Sequence, residues 1–257
     1  MEEKQGITGS TLKLIALISM LIDHIGATVV KAYIINQGYS LQLTDFSSIQ
    51  PVVLLYYCLR LIGRLAFPIF VILLVEGLQH TRSKWKYLLR MLIFAIISEI
   101  PFDIAFKLSK TDVLSGKIVE FSSQNVFFTL AIGLGVIIGM KMLDESDIPV
   151  FASLILKFLI GGCGMLLAEC LHTDYGAWGV LAIIVAYTFK AQKEISAIMV
   201  GIVLVLNHWM EIAAFPVVFF MRAYNGKRGW NMKWLFYIFY PVHLLLLGLL
   251  CILLNLK

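Results

Sequence analysis

LKLIALISMLIDHIGATVVKAYII, residues 12–35, decides the fold. Apart from Lys13, Asp23, His24 and Lys31, the stretch is almost wholly apolar. It has the length of a membrane-spanning helix, which needs about 20 such residues. Asp23 and His24 then fall near its middle. An Asp at that depth costs roughly 2.5–3.5 kcal/mol on an insertion scale, so an acid and an imidazole kept side by side there mark a functional site.

The rest of the chain repeats this pattern. Of 257 residues, 60% are hydrophobic and only 14% charged, against about 45–50% and about 25% in soluble domains. The excess runs the whole length, so the expected class is all-α: one polytopic transmembrane helix bundle spanning residues 1–257. The first apolar run is too long for a cleavable signal peptide and no small-residue cleavage site follows it. Spans are expected near 12–35, 52–79, 86–106, 125–143, 150–171, 177–190, 195–209, 211–222 and 234–256, about nine in all, with 177–190 and 211–222 short enough to be tilted, broken or re-entrant. Pro68, Pro101 and Pro241 would kink their spans. Gly135 and Gly139 are spaced for close helix approach, and the Gly161–Gly164 run reads as packing within an apolar span. The aromatic run Trp234–Tyr240 reads first as an interfacial belt and second as a ligand wall.

Charge sets the orientation. The net charge of +5 sits largely in short loops: Arg82, Lys84, Lys86 and Arg90; Lys190 and Lys193; Arg222, Lys227, Arg228 and Lys233. Nine spans put these loops and Lys4 on one side, which the positive-inside rule makes cytoplasmic, N-terminus included. This distribution excludes nucleic acid as the partner of the basic residues. The cysteines (Cys58, Cys163, Cys170, Cys251) lie in or beside apolar spans without metal-ligand spacing and read as small buried hydrophobes, so no metal is expected. No Gly-x-Ser-x-Gly, paired-aspartate or His-Glu-x-x-His pattern supports an intramembrane protease.

At about 1.5 Å of rise per residue, His24, Arg64, Glu99, Asp103 and His243 fall between the mid-plane and the outer half of the bilayer. Asn125, Thr129, His172, Asp174 and Tyr175 could cap the same region. Polar groups at matching depth on separate helices suggest one shared, water-reaching cavity. Arg64 with Glu99 or Asp103 would also make an interhelical ion pair that only fixes packing, and His243 a hydrogen-bonded core residue. Asp23 and His24 are adjacent in a helix and point about 100° apart, so the partner that orients His24 is Asp23, Glu99 or Asp103.

Six strings, in order over nearly the whole chain, resemble the TraX family: LKLIALISMLIDHIG at 12–26, RLIGRLAFPIFVILLVEG at 60–77, ISEIPFD at 97–103, QNVFFTL at 124–130, YGAWG at 175–179 and FYIFYPVHL at 236–244. Lys13 and His24, with ten residues between them in the first span, are also similar to the basic-x10-His pattern of acyltransferase 3-type membrane acyltransferases. The family's named member N-acetylates a conjugative pilin subunit, and the resemblance implies a membrane acetyltransferase of the bacterial cytoplasmic membrane. Acetyl-CoA would be its co-substrate, and the acceptor a protein N-terminus, an envelope glycan or a lipid. A homo-oligomer is compatible with the sequence.

Under that resemblance, Lys13, Arg82, Lys84, Lys86, Arg90, Lys227, Arg228 and Lys233 hold the phosphates of acetyl-CoA. His24 is the base or the acyl carrier, oriented by a carboxylate. Arg64 steadies the oxyanion or an acceptor carboxylate. Asp23, Glu99, Asp103 and His243 complete the catalytic set, and Asn125, Thr129, Asp174, Tyr175 and Tyr240 shape the acceptor side. The same buried charges suit a proton-coupled transporter or flippase, or an assembly protein whose ion pairs only fix packing.

Overall fold

The computed structural model describes residues 6–42 and 49–256, with the side chain of Lys233 left out, and every regular element among them is helical. Lys4 lies outside the described residues. Five stretches are long and apolar enough to cross a membrane: Gly9–Asn36, Pro51–His80, Val126–Asp144, Val150–Cys170 and Trp234–Leu253. Gly176–Thr188 is a shorter apolar helix. The outward surface is apolar as well. On α8 (Val150–Cys170), Phe151, Leu154 and Phe158 are exposed, Phe158 at 81%. A helix apolar on its outer face belongs in hydrocarbon, so the protein is an integral membrane protein.

The first span is interrupted just past His24. α1 (Gly9–Ile25) widens into a single π turn (Gly26–Val30) before α2 (Lys31–Asn36). The Thr28 hydroxyl donates to the His24 carbonyl at 2.6 Å within this turn. π turns inside α-helices are frequent at functional sites, because the extra residue re-aims the side chains around it.

The expected helix over 52–79 is two helices. α3 (Pro51–Gly63) ends at a turn through Arg64 and Leu65, and α4 (Ala66–His80) starts afresh. Pro68 therefore lies in a first turn, where its missing N–H costs nothing, instead of kinking a continuous span. Gly63 lets α3 approach α1: a Cβ there would lie 2.2 Å from the Cβ of Asp23.

α5 (Lys84–Phe106), the short α6 (Lys110–Leu114), α7 (Val126–Asp144), α8 and α9 (Gly176–Thr188) follow, and α12 (Lys233–Leu253) packs along α5. α10 (Lys193–Asn207) enters from the end that holds the basic loops. A 3-10 turn (Trp209–Ala214) and α11 (Val217–Ala223) bring the chain back, so that the Lys193 ammonium sits over the Tyr224 ring at 3.9 Å. The expected span 211–222 is thus a half-depth return whose helix has 7 residues, too short to cross.

Two glycine readings and the cysteine reading change. A Cβ on Gly135 would meet open space and one on Gly139 only ordinary contact. The tight approaches are at Gly133, against Ile183, and Gly164, against Val136. Cys58, Cys163 and Cys170 lie on exposed faces and Cys251 alone of the four is buried. An apolar thiol costs nothing against hydrocarbon, so composition could not place it inside.

Candidate functional site

Two chambers lie end to end between the helices. The first, about 490 Å³, is walled by α1, α3, α4, α12, the 3-10 turn and the 171–176 loop, and His24, Asp23, Arg60, Arg64, Glu211 and Tyr175 face it. The second, about 730 Å³, lies at the end that holds the basic loops.

In the first chamber, an ion network binds three elements. Asp23 accepts from Arg60 Nη1 at 2.5 Å and from Arg64 Nη2 at 2.9 Å. Arg64 Nη1 donates to Glu211 at 2.7 Å, and its Nε donates to the Arg60 carbonyl at 3.1 Å. A guanidinium has five N–H donors, so two of Arg64 remain uncommitted. Arg64 is thus paired with Asp23 and Glu211, not with Glu99 or Asp103. The helix break after Gly63 turns it toward α1 and the 3-10 turn, away from α5.

His24 has an imidazole partner instead of a carboxylate. Its Nδ1 lies 2.6 Å from Nε2 of His243, and Nδ1 of His243 lies 2.7 Å from the Phe239 carbonyl. A carbonyl only accepts, so Nδ1 of His243 carries the proton. With both rings neutral, Nε2 of His243 is bare and accepts from Nδ1–H of His24. Nε2 of His24 is then left with a free lone pair. Phe106 and Tyr240 stand edge-on to the His24 ring at 5.4 and 6.1 Å and fix its plane. The expected orienting carboxylates, Asp23, Glu99 and Asp103, do not touch it. Pro241 lies within the turn of α12 that carries Phe239, Tyr240 and His243.

Tyr175 has a left-handed backbone (φ 65°), and its ring stacks on Phe67 at 3.8 Å. Asp174 lies at the chamber mouth. Protein packed around its carboxyl pushes it up to about 6 while Arg64 draws it down, and the residue's exposure to water limits the rise.

Glu99, Asp103, Asn125 and Thr129 are buried but do not line this chamber. Glu99 accepts from the Asn125 side chain at 2.5 Å, and Asn125 caps α7 through the Phe127 N–H at 3.0 Å. Asp103 pairs with Lys107 at 3.0 Å and accepts the Glu120 N–H at 2.7 Å, which ties down the 115–123 loop. The Thr129 hydroxyl donates to the Asp174 carbonyl and lies 3.0 Å from the Thr173 hydroxyl. All four are held in contacts outside the chamber lining, although their equal height in the helices suggests that they would share it.

The second chamber is lined by Lys13, His80, Arg82, Arg90 and Arg228, with Glu76 as an acid, and by the aromatic rings of Tyr87, Tyr224, Phe236 and Tyr237. Four of the eight basic residues expected at a phosphate site therefore converge. Lys84, which lies 3.9 Å from Glu145, Lys86 and Lys227 are outside the lining, and the Lys233 side chain lies outside the described residues. Two loops distant in sequence and the start of α1 meet here: the Gly9 and Ser10 N–H groups donate to the Lys227 and Arg228 carbonyls at 2.8 and 2.9 Å.

Arg60 and Glu211 were missed in the sequence. Arg60 lies one helical turn before Arg64 and carried that signal. Glu211 stood at the edge of a short apolar run, and nothing local marked it as buried at 2% exposure.

The family model described as TraX protein matches residues 8–251. A relative described as "Probable fimbrial assembly protein FimC, serogroup H1" from Dichelobacter nodosus is 31% identical over 263 residues, covering 92% of each chain. No solved structure matches. With the family model running over nearly every described helix, the chain belongs to the TraX family.

Proposed function

We propose that this protein is a membrane acetyltransferase of the bacterial cytoplasmic membrane. It would take acetyl-CoA from the cytoplasm, with its N-terminus on that side, and pass the acetyl group to an acceptor in the first chamber. The observation that carries this reading is the stacking of a basic chamber onto a chamber holding an imidazole with a free lone pair. Lys13 and His24 lie on one helix, eleven residues or about 16 Å apart along its axis. An extended pantetheine arm reaches that far.

Lys13, Arg82, Arg90 and Arg228 would hold the phosphates. Nε2 of His24 takes the proton from the acceptor's amine or hydroxyl as that group attacks the thioester carbonyl. The tetrahedral oxyanion is met by the uncommitted N–H groups of Arg64 or by Arg60. Collapse breaks the C–S bond, the thiolate takes the proton back from His24, and CoA and the acetylated acceptor leave. His243 positions the base by accepting from its Nδ1. The acceptor is a protein N-terminus or an envelope glycan or lipid. The relative's description as a fimbrial assembly protein favours a protein acceptor at the cell envelope.

The test uses purified protein, labelled acetyl-CoA and cell-envelope fractions. Transfer of label is expected, and His24→Ala should lower it about 10²–10⁴-fold, the usual span for a general base, while acetyl-CoA still binds by calorimetry. Binding should weaken in Arg82→Ala and Arg228→Ala and fall further with added salt. Absence of acetyl-CoA binding to the unaltered protein would favour a transporter and overturn the proposal.

A further inference from the structure

Phe70 of α4 lines both chambers. Its ring is 8% exposed and meets Phe236 of α12 edge to face, with centroids 4.9 Å apart and planes at 80°. The helices around it run past both spaces. On α4, Phe67 faces the first chamber and Leu73, Leu74 and Gly77 the second. On α12, Tyr240 faces the first and Phe236 and Tyr237 the second. On α7, Val126 faces the first and Leu130 the second, and on α1, His24 and Lys13 do the same. Four helices thus present one continuous face to a single route, and the Phe70 ring stands where one chamber gives way to the other.

We propose that Phe70 is the gate on this route and selects which end of a donor molecule passes it. A phenyl ring has few rotamers, so it is either across the route or aside from it. The edge-to-face pairing with Phe236 and the packing around the ring hold it closed, and the contacts that a bound ligand brings replace them. An apolar constriction admits a thin, uncharged arm. It turns back phosphates, because they would shed water there without a partner. The charged end of the donor stays among Lys13, Arg82, Arg90 and Arg228, and the acyl end alone reaches His24. Closed, the ring keeps bulk water and ions from joining the two faces of the membrane. The identity of what passes rests on the acetyl-transfer reading, whereas the barrier is measurable without it.

The test places a cysteine in the first chamber at Ala27, in a background where Cys58, Cys163, Cys170 and Cys251 are replaced by Ala. Oriented membrane vesicles are treated with a membrane-impermeant methanethiosulfonate. Applied to the face that holds Lys13, the reagent should modify Ala27→Cys slowly when Phe70 is present. Phe70→Ala should raise that rate about tenfold, the equivalent of lowering a barrier by about 1.4 kcal/mol. Phe70→Trp should leave it slow. Modification from the opposite face should be equal in all three, which reports an intact fold; if Phe70→Ala loses that equality, Phe70→Leu replaces it with a smaller rise expected. Equal rates from the Lys13 face with and without the ring would overturn the gate. Should the rates differ while no acetyl transfer is found, the gate stands and the transfer reading falls. Should transfer be found with rates unchanged, the reverse holds.

Discussion

Asp23 on α1 and Glu99 on α5 are both carboxylates deep in apolar helices, yet their surroundings differ. Asp23 binds two arginines across a wall that opens onto a chamber. Glu99 is closed in by Asn125 and the start of α7, outside the lining of both chambers. Asp103, four residues on, likewise holds a loop through Lys107 and the Glu120 N–H. Burial of a charge therefore does not by itself separate chemistry from scaffolding. What separates them is whether the group's remaining donors or lone pairs face a space that a substrate can enter.

Three substitutions sharpen that contrast. Arg64→Ala has the largest expected effect on the fold. It strands Glu211 and leaves Asp23 to Arg60 alone, and breaking a buried pair costs about 3–5 kcal/mol. Thermal unfolding in detergent should show a large drop, and Arg64→Lys should recover part of it, since one ammonium cannot reproduce the fork. A near-unchanged melting temperature for Arg64→Ala would mean that the network contributes little to folding.

Asn125→Ala comes next. It removes the cap of α7, worth about 1 kcal/mol, and leaves Glu99 short of a partner, worth about 1–3 kcal/mol. The melting temperature should fall while acetyl-CoA affinity and transfer per folded molecule stay as they were. Loss of transfer in protein that is still folded would move Glu99 and Asn125 back into the chemistry.

His243→Phe is the smallest. It removes the hydrogen bond that positions the base, about 1 kcal/mol net, and the one that His243 donates to the Phe239 carbonyl. The transfer rate should fall roughly fivefold to tenfold, with only a small loss of stability because the aromatic packing on Phe239 is retained. A loss as large as that of His24→Ala would make His243 a direct participant.

Much of the site was legible before any coordinates. His24, Asp23, Arg64, His243, Asp174, Tyr175 and Tyr240 were picked out by the cost of polar groups in apolar helices and by family resemblance, and they do converge. His243 is the exception in how it does so, reaching the site through His24 rather than through the chamber wall. Glu99, Asp103, Asn125 and Thr129 were picked out by the same reasoning and do not converge. Residue count along a helix measures height but not azimuth, so side chains at one level can face opposite ways. The break at Gly63–Leu65 and the π turn at Gly26–Val30 were illegible because the hydropathy runs through both without a gap.

Composition and local pattern were enough to determine that this chain is a helical membrane protein with ionisable groups committed to its interior, and six ordered strings carried its likeness to the TraX family. They could do so because the bilayer penalises every such group, whatever its neighbours. Only the tertiary structure decided which groups meet. Pairing depends on how each helix is rotated about its axis, and that rotation is set by packing between helices far apart in the chain: Gly63 against Asp23, α12 along α5, and Glu211 carried in on a half-depth return.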